Sequence, residues 1–474
     1  MTIHMRGGES RHQVADPFQS GPLTGAAVAA ALVAGVLAAV AGPVAVAVGV
    51  GVGLFGLVAW RPVLATYLYL ATLPFIAGID RGTLVPLVRP NEALLVLLIA
   101  GAMAGGYVRA LRGAPLQLRF RPWDVPLVAF FLLATVWPIS SLLLRGMFPS
   151  AADVSAILPV CKLAGVFLLV RATVRTETHV RWCIRLIIGG AVGVAGIAVL
   201  QSLSVEPLLA LLDSWYRALA AERGRGTTTL SNAIATGDYI LIGLALLVTS
   251  GVRGLVGRWT RVAAGVVLAA GVLAVGQFST LLGALIVGAL LVRRLPTVRV
   301  SALRLAPILG IAVLVGAPAL LGRISGFSGG GFPPQSWRVR WDNVTHLYVP
   351  ELLENGRFLV GVSPNSVKVP PDTWREVVYL ESGYLQFLWV GGVPLLVGFV
   401  VLSWAVLRLA ARLSSQTDAV GACASALGIA WWIVVLLSVL DPHLFIRGSS
   451  DLLFALLGIV AAIAAAERTE DVTA

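Results

Sequence analysis

Apolar runs of 18 or more residues follow one another along almost the whole chain, separated by short stretches rich in Gly, Pro and Arg. As a helix, a run of that length crosses a hydrocarbon core of about 30 Å. The runs lack the alternation of an outer-membrane barrel, so helices are expected. Hydrophobicity and punctuation predict about 14 spans, at 23–42, 44–59, 62–79, 92–109, 124–144, 153–171, 184–203, 231–250, 260–275, 277–292, 305–321, 383–407, 419–440 and 449–466. At the Gly42-Pro43 break and near Gly276, one bent helix would serve as well as two crossings. The organisation expected is an all-α polytopic membrane protein of about 12–14 transmembrane helices. It divides into a cytoplasmic tail (1–22), a helical region (23–321) with an external loop at 204–230, a large extracytoplasmic loop (322–382), C-terminal helices (383–466) and a second cytoplasmic tail (467–474).

Composition agrees, with 58% hydrophobic residues, 12% charged and a mean hydropathy of +0.90, far from the balance of a soluble domain. The net charge of +12 does not point to nucleic acid, because the basic residues are scattered through short loops. It reads instead as orientation. With the N-terminus in the cytoplasm, about 21 basic residues fall inside and about 13 outside, nine of the latter in the two long loops. Long loops count little in the positive-inside rule, so both termini are expected inside and both long loops outside. Cys161, Cys183 and Cys423 lie in or beside apolar segments without metal or redox spacing and read as buried free thiols. The first apolar run is too long for a signal-peptide core and reads as a retained anchor.

Candidate chemistry lies mostly at the outer side. Lys162, three residues after Pro159, is a charge within a span; it either lines a cavity or forms an ion pair. The 204–230 loop begins as an amphipathic stretch, with Leu208, Leu211, Leu212, Trp215 and Leu219 at helical spacing. Arg223-Gly224-Arg225-Gly226 and a polar run to Asn232 follow, which can be an anion cradle or a solvated turn with a Ser/Asn helix cap. In the large loop, Ser336-Trp337-Arg338-Val339-Arg340-Trp341 alternates aromatic and basic residues, suited to sugar and phosphate or to anchoring at the interface. Glu381, just before a span, is either a helix-start acid or a general base. Gly51-x-Gly53-x-x-Gly56 lies inside a span and reads as helix packing, and His179, His346 and His443 are too dispersed for a metal constellation.

The order of these features resembles the bacterial O-antigen ligase and O-antigen polymerase superfamily. Arg225-Gly226-Thr227-Thr228-Thr229-Leu230-Ser231-Asn232 is similar to a family stretch Arg-Ala-Thr-Gly-Thr-Phe-Gly-Asn-Pro-Asn, and departs from it at Ala233-Ile234. Arg338 and Trp341 look like the pair that begins the family's external loop. Glu381-Ser382-Gly383-Tyr384-Leu385-Gln386 resembles the helix start that in ligases reads His-Asn-x-Tyr-Leu, with Glu381 in the place of the histidine, as in the acidic polymerase-like variant. Ser279-Thr280 stands where a Ser-Arg pair is often seen.

The resemblance implies a GT-C-like, metal-independent glycosyltransferase without cofactor. It would transfer or polymerise glycan from a polyprenyl-diphosphate-linked donor to a glycan or lipid-glycan acceptor. It implies that Arg225 and Arg338, with Arg223 and Arg340 beside them, neutralise the leaving diphosphate, and that Glu381 is the base. Asn232, Trp337, Trp341, Tyr384 and Lys162 are the further candidates for binding substrate. Membrane lipid and other proteins of an envelope-synthesis complex are the expected partners, and nucleic acid is not. A lipid-linked oligosaccharide flippase and a non-catalytic scaffold are the alternatives.

Overall fold

A computed structural model describes residues 48–82, 88–113, 120–216, 225–294, 335–369 and 378–473. The expected spans 23–42 and 305–321, and Arg223 with them, lie outside the described residues. Fifteen helices are described: α1 (Val48–Trp60), α2 (Val63–Ile76), α3 (Pro90–Leu111), α4 (Asp124–Leu144), α5 (Ala151–Thr173), α6 (Glu177–Ser202), α7 (Glu206–Trp215) and α8 (Ala233–Val252). Then come α9 (Arg258–Val275), α10 (Phe278–Arg294), α11 (Gln335–Asn343), α12 (Val349–Leu353), α13 (Gly383–Leu413), α14 (Ala419–Leu437) and α15 (Ser449–Thr473). Eight of them, α3 to α6, α8, α9, α13 and α14, are long and apolar enough to cross a membrane. Helices α1, α2 and the apolar part of α15 are shorter. The chain is thus an all-α polytopic membrane protein.

Packing follows side-chain size. Helices α8 and α14 form the centre, each with 83% of its apolar window buried, whereas α3 has 22% buried and lies at the rim. Close approaches use small residues, as where Gly243 meets Ala191 and Gly271 meets Ala195. The ambiguity near Gly276 resolves as a break: Gly276 takes φ 61° as the C-cap of α9, and α10 starts at Phe278. The amphipathic stretch of the 204–230 loop is α7. Its Leu212 is buried, Leu211 and Trp215 are exposed, and the Tyr216 hydroxyl donates to the Phe75 carbonyl.

Alternation of the helices sorts the connections onto two faces. On one, Arg253 donates to the carbonyls of Ser414 and Gln416, and Arg171 pairs with Asp124 at 2.5 Å. On the other, the Gly78 amide reaches the Thr229 carbonyl, Arg447 reaches Asp80, and the Gly383 amide donates to the Ser438 carbonyl at 2.7 Å.

The large loop lies on this second face, and its described part is folded onto the helices. After α11 comes a π-helical turn, Val344–Tyr348, then α12, a 3-10 segment over Glu354–Leu359 and an isolated antiparallel bridge between Lys368 and Val378. Arg145 at the end of α4 donates to the Val362 carbonyl, and the Ser363 hydroxyl to Asp153 in α5. Lys368 pairs with Glu351 and sits over the rings of Tyr348 and Trp389.

Helix α13 is broken where it receives this loop. Pro394 removes a helical donor, and Gly392 adopts φ 67°, ψ −162°. Carbonyls freed in this way need new partners in a membrane span. Val362 N–H donates to the Trp389 carbonyl at 2.6 Å and the Trp137 indole to that of Gly391 at 3.0 Å. A Cβ at Gly392 would lie 2.5 Å from the Leu359 carbonyl oxygen. Gly392→Ala is therefore expected to cost about 1–3 kcal/mol from backbone strain alone, read as a lower unfolding midpoint in detergent. Pro394→Ala, which restores a donor without a clash at Gly392, is the milder change.

Candidate functional site

The site is assembled by three elements meeting on the loop-bearing face. Glu381 lies two residues before α13, and the Gly383–Ser438 hydrogen bond holds that helix start against the end of α14. A Cβ at Gly383 would lie 2.9 Å from the Ser438 Cβ, so the close approach needs glycine. Asp441, three residues beyond Ser438, is thereby brought beside Glu381. Arg340 on α11 enters between them. Its Nε lies 3.0 Å from Glu381 Oε2, and its Nη1 lies 3.0 Å from Asp441 Oδ1 and 3.2 Å from the Leu440 carbonyl oxygen.

The two carboxylates differ in setting. The side chain of Glu381 is 22% exposed and that of Asp441 only 3%. Burial pushes the Asp441 carboxyl above its ordinary range, against the downward pull of Arg340 and His443. Behind Asp441, His443 Nδ1 lies 2.8 Å from Asp238 Oδ2 on α8. Burial alone would lower the His443 pKa, but Asp238 and Asp441 reverse this and raise it. His443 Nε2 is buried with no partner among the described residues. A cavity of about 10 Å³, bordered by Asp238, His443, Ser449 and Ser450, adjoins this pair. That is close to the smallest space that holds one water.

Helical geometry explains which loop residues point here. Successive residues of a helix are 100° apart, so Arg338 and Arg340 of the alternating stretch cannot share a direction. Arg340 is half-buried in the ion pairs, while Arg338 and Trp341, three apart on one face, are exposed. Arg338 and Trp341 thus lie on a different face of α11 from Arg340, and the side chain of Trp337 is outside those described.

The polar run before α8 is built differently from a backbone anion cradle. Gly226 N–H donates to the Ala274 carbonyl and Thr228 N–H to the Gln201 side chain. Thr229 Oγ1 donates to the Pro74 carbonyl at 2.6 Å and Ser231 Oγ to that of Gly78. Thr228 and Ser231 hold left-handed φ values of 51° and 54° within this network. These amides are already taken by the protein, so the cradle reading gives way to a pinned turn, and the half-buried Arg225 side chain is what the segment can offer. Asn232 Oδ1 accepts from Ile234 and Ala235 N–H and caps α8.

Two further sequence candidates also have protein partners. The Lys162 ammonium lies 2.8 Å from Asp451 Oδ2, both side chains being buried, which favours the ion pair over a cavity lining. The Tyr384 hydroxyl donates to the Val435 carbonyl at 2.6 Å. Sequence reading did not single out Asp441 or Asp238, and it weighed His443 only as a metal ligand. Only the Asp441-Pro442-His443 run after a span marks them locally. No family model matches the chain, and no curated protein matches it.

Proposed function

We propose that this protein is a membrane glycosyltransferase that uses a polyprenyl-diphosphate-linked glycan donor at the loop-bearing face, oriented outward across a bacterial plasma membrane. The observation that carries the reading is Arg340, a half-buried guanidinium shared by the accessible Glu381 and the buried Asp441. A donor diphosphate oxygen competes with Glu381 for Arg340, while Asp441 keeps the guanidinium in place. The Glu381 carboxylate so released takes the proton of the acceptor hydroxyl, whose oxygen attacks the anomeric carbon. The bond from that carbon to the diphosphate oxygen breaks with inversion. The departing diphosphate keeps the electron pair, its charge met by Arg340 and, as the resemblance implies, by Arg225. Guanidinium groups perform this charge role without requiring a divalent ion.

The test is transfer by the purified protein from lipid-diphosphate-linked glycan to a glycan acceptor, with and without EDTA. Wild-type product formation is expected to survive EDTA. Arg340→Gln is expected to lower it by at least about tenfold, the loss of one charged hydrogen bond, while the variant elutes as a folded species. Wild type that leaves an authentic donor intact would remove the enzyme reading.

The break in α13 and the buried Lys162–Asp451 and Asp238–His443 pairs favour one second reading, a flippase for the same lipid. Movement of labelled lipid across proteoliposomes without new glycosidic bonds would select it.

A further inference from the structure

A second cationic centre lies on the same face, apart from the Arg340 ion pairs. Arg81 and Arg89, from the connection between α2 and α3, meet Arg447, from the connection between α14 and α15. Arg81 Nη2 and Arg89 Nη1 share a single oxygen of Glu92 at 3.4 and 3.5 Å. Arg447 Nη1 lies 3.2 Å from Asp80. Three guanidinium groups thus face two carboxylates, one of them Asp80, which is 47% exposed. Both Glu92 contacts are long for charge-assisted hydrogen bonds, which run to about 2.7–2.9 Å.

The polar groups in this cluster are under-satisfied. The Nε atoms of Arg81 and Arg89 are buried without a partner among the described residues. Asn91, fully buried in the first turn of α3, has neither amide atom paired. Burial, then Arg447 and Arg81, push the Arg89 pKa down to about 10 despite Glu92 and Asp80. Buried polar groups ordinarily find partners, and a fork of guanidinium donors matches the oxygens of phosphate. The N-terminus of α3 adds its own partial positive charge.

We infer that Arg81, Arg89 and Arg447 form a binding site for a phosphate or diphosphate group at the membrane surface. The site holds whether or not the chain transfers glycan. Its ligand chemistry can come from an isoprenoid diphosphate, an anionic lipid headgroup or a free phosphate, which the experiment separates.

The full chain would be placed in phosphatidylcholine nanodiscs and titrated with inorganic pyrophosphate. The unfolding midpoint and the phenylglyoxal labelling of individual arginines, resolved by mass spectrometry, are the readouts. Pyrophosphate is expected to raise the midpoint and to slow labelling of Arg81, Arg89 and Arg447, leaving Arg408 on the opposite face unchanged. In Arg89→Gln/Arg447→Gln the half-saturating concentration is expected to rise about 10²- to 10⁴-fold, from two hydrogen bonds to charged groups worth about 1.5–3 kcal/mol each. The labelling readout on wild type stands if that double variant does not fold. Equal protection by sulfate at the same ionic strength, or none by pyrophosphate, overturns the site. Protection that survives in Arg340→Gln separates it from the ion-paired centre, and protection lost there alone overturns it while leaving the transferase reading intact. Phosphatidylglycerol that abolishes the pyrophosphate effect identifies a lipid headgroup as the ligand, and indifference to it supports a diphosphate ligand.

Discussion

Lys162→Met is expected to lower the unfolding free energy by about 3–5 kcal/mol, the cost of leaving one charge of a buried pair without its partner. The expectation rests on burial, since the Lys162 side chain is 6% exposed and Asp451 0%. An exposed pair would contribute at most about 1 kcal/mol. Asp451 also accepts from the Tyr69 hydroxyl at 3.0 Å and the Gly448 amide at 2.9 Å, so it anchors the start of α15 to α2 and α5 together. The double change Lys162→Met/Asp451→Asn removes both charges but keeps an amide that can still pair with Tyr69 or Gly448. It is therefore expected to recover more than half of the loss. The comparison is made by equilibrium unfolding in mixed micelles, with the secondary structure of each variant checked first. A single-variant cost below about 1 kcal/mol would mean that water reaches the pair, and that Lys162 faces a cavity after all.

That pair shows where reading from sequence stops. Lys162 is conspicuous because a charge in an apolar run is expensive, but its partner is 289 residues away and no local pattern links the two. Most spans were legible for the opposite reason: crossing a membrane is a local requirement on length and apolarity. The predicted 92–109, 124–144 and 153–171 correspond to α3, α4 and α5 within a few residues. Gly276 was legible as an interruption, though not as the left-handed cap it is. The internal order of the large loop has no local signal, because it comes from helix α13. The carbonyls exposed at the Gly392 break take Val362 N–H and the Trp137 indole as donors, a match that is set across 254 residues in the second case.

The site divides along the same line. Glu381 stood out by its position before an apolar run, and Arg340 by its place in an aromatic and basic alternation. That the two meet depends on α11 being helical and on the Gly383–Ser438 contact, which is tertiary. Arg338, more prominent in the resemblance, lies on the exposed face with Trp341 because helical rotation separates it from Arg340. Asp441 and His443 were invisible as site residues, since their partners Arg340 and Asp238 lie 101 and 205 residues away.

Glu381→Gln gives the sharpest test of the chemistry, with an expected fall in transfer of about 10²- to 10⁴-fold, the range of a general base. The amide keeps the size of the carboxylate and can still accept from Arg340, and Asp441 continues to hold that guanidinium from the buried side at 3.0 Å. The fold should therefore be unchanged, and the loss should fall on the chemical step. Removing a negative partner from Arg340 leaves it freer for diphosphate, so donor KM is expected to stay level or fall while kcat drops. A helix-start acid makes the opposite forecast. Its loss near a helix terminus would cost about 0.3–1 kcal/mol of stability, with kcat and KM close to wild type. Activity of Glu381→Gln within about twofold of wild type, a difference of some 0.4 kcal/mol in the barrier, would remove the base from Glu381. The reverse substitution at the neighbour separates position from proton transfer. Asp441→Asn is expected to raise donor KM by loosening Arg340, with a smaller effect on kcat than Glu381→Gln, because Asp441 is buried behind the guanidinium and acts on substrate only through it.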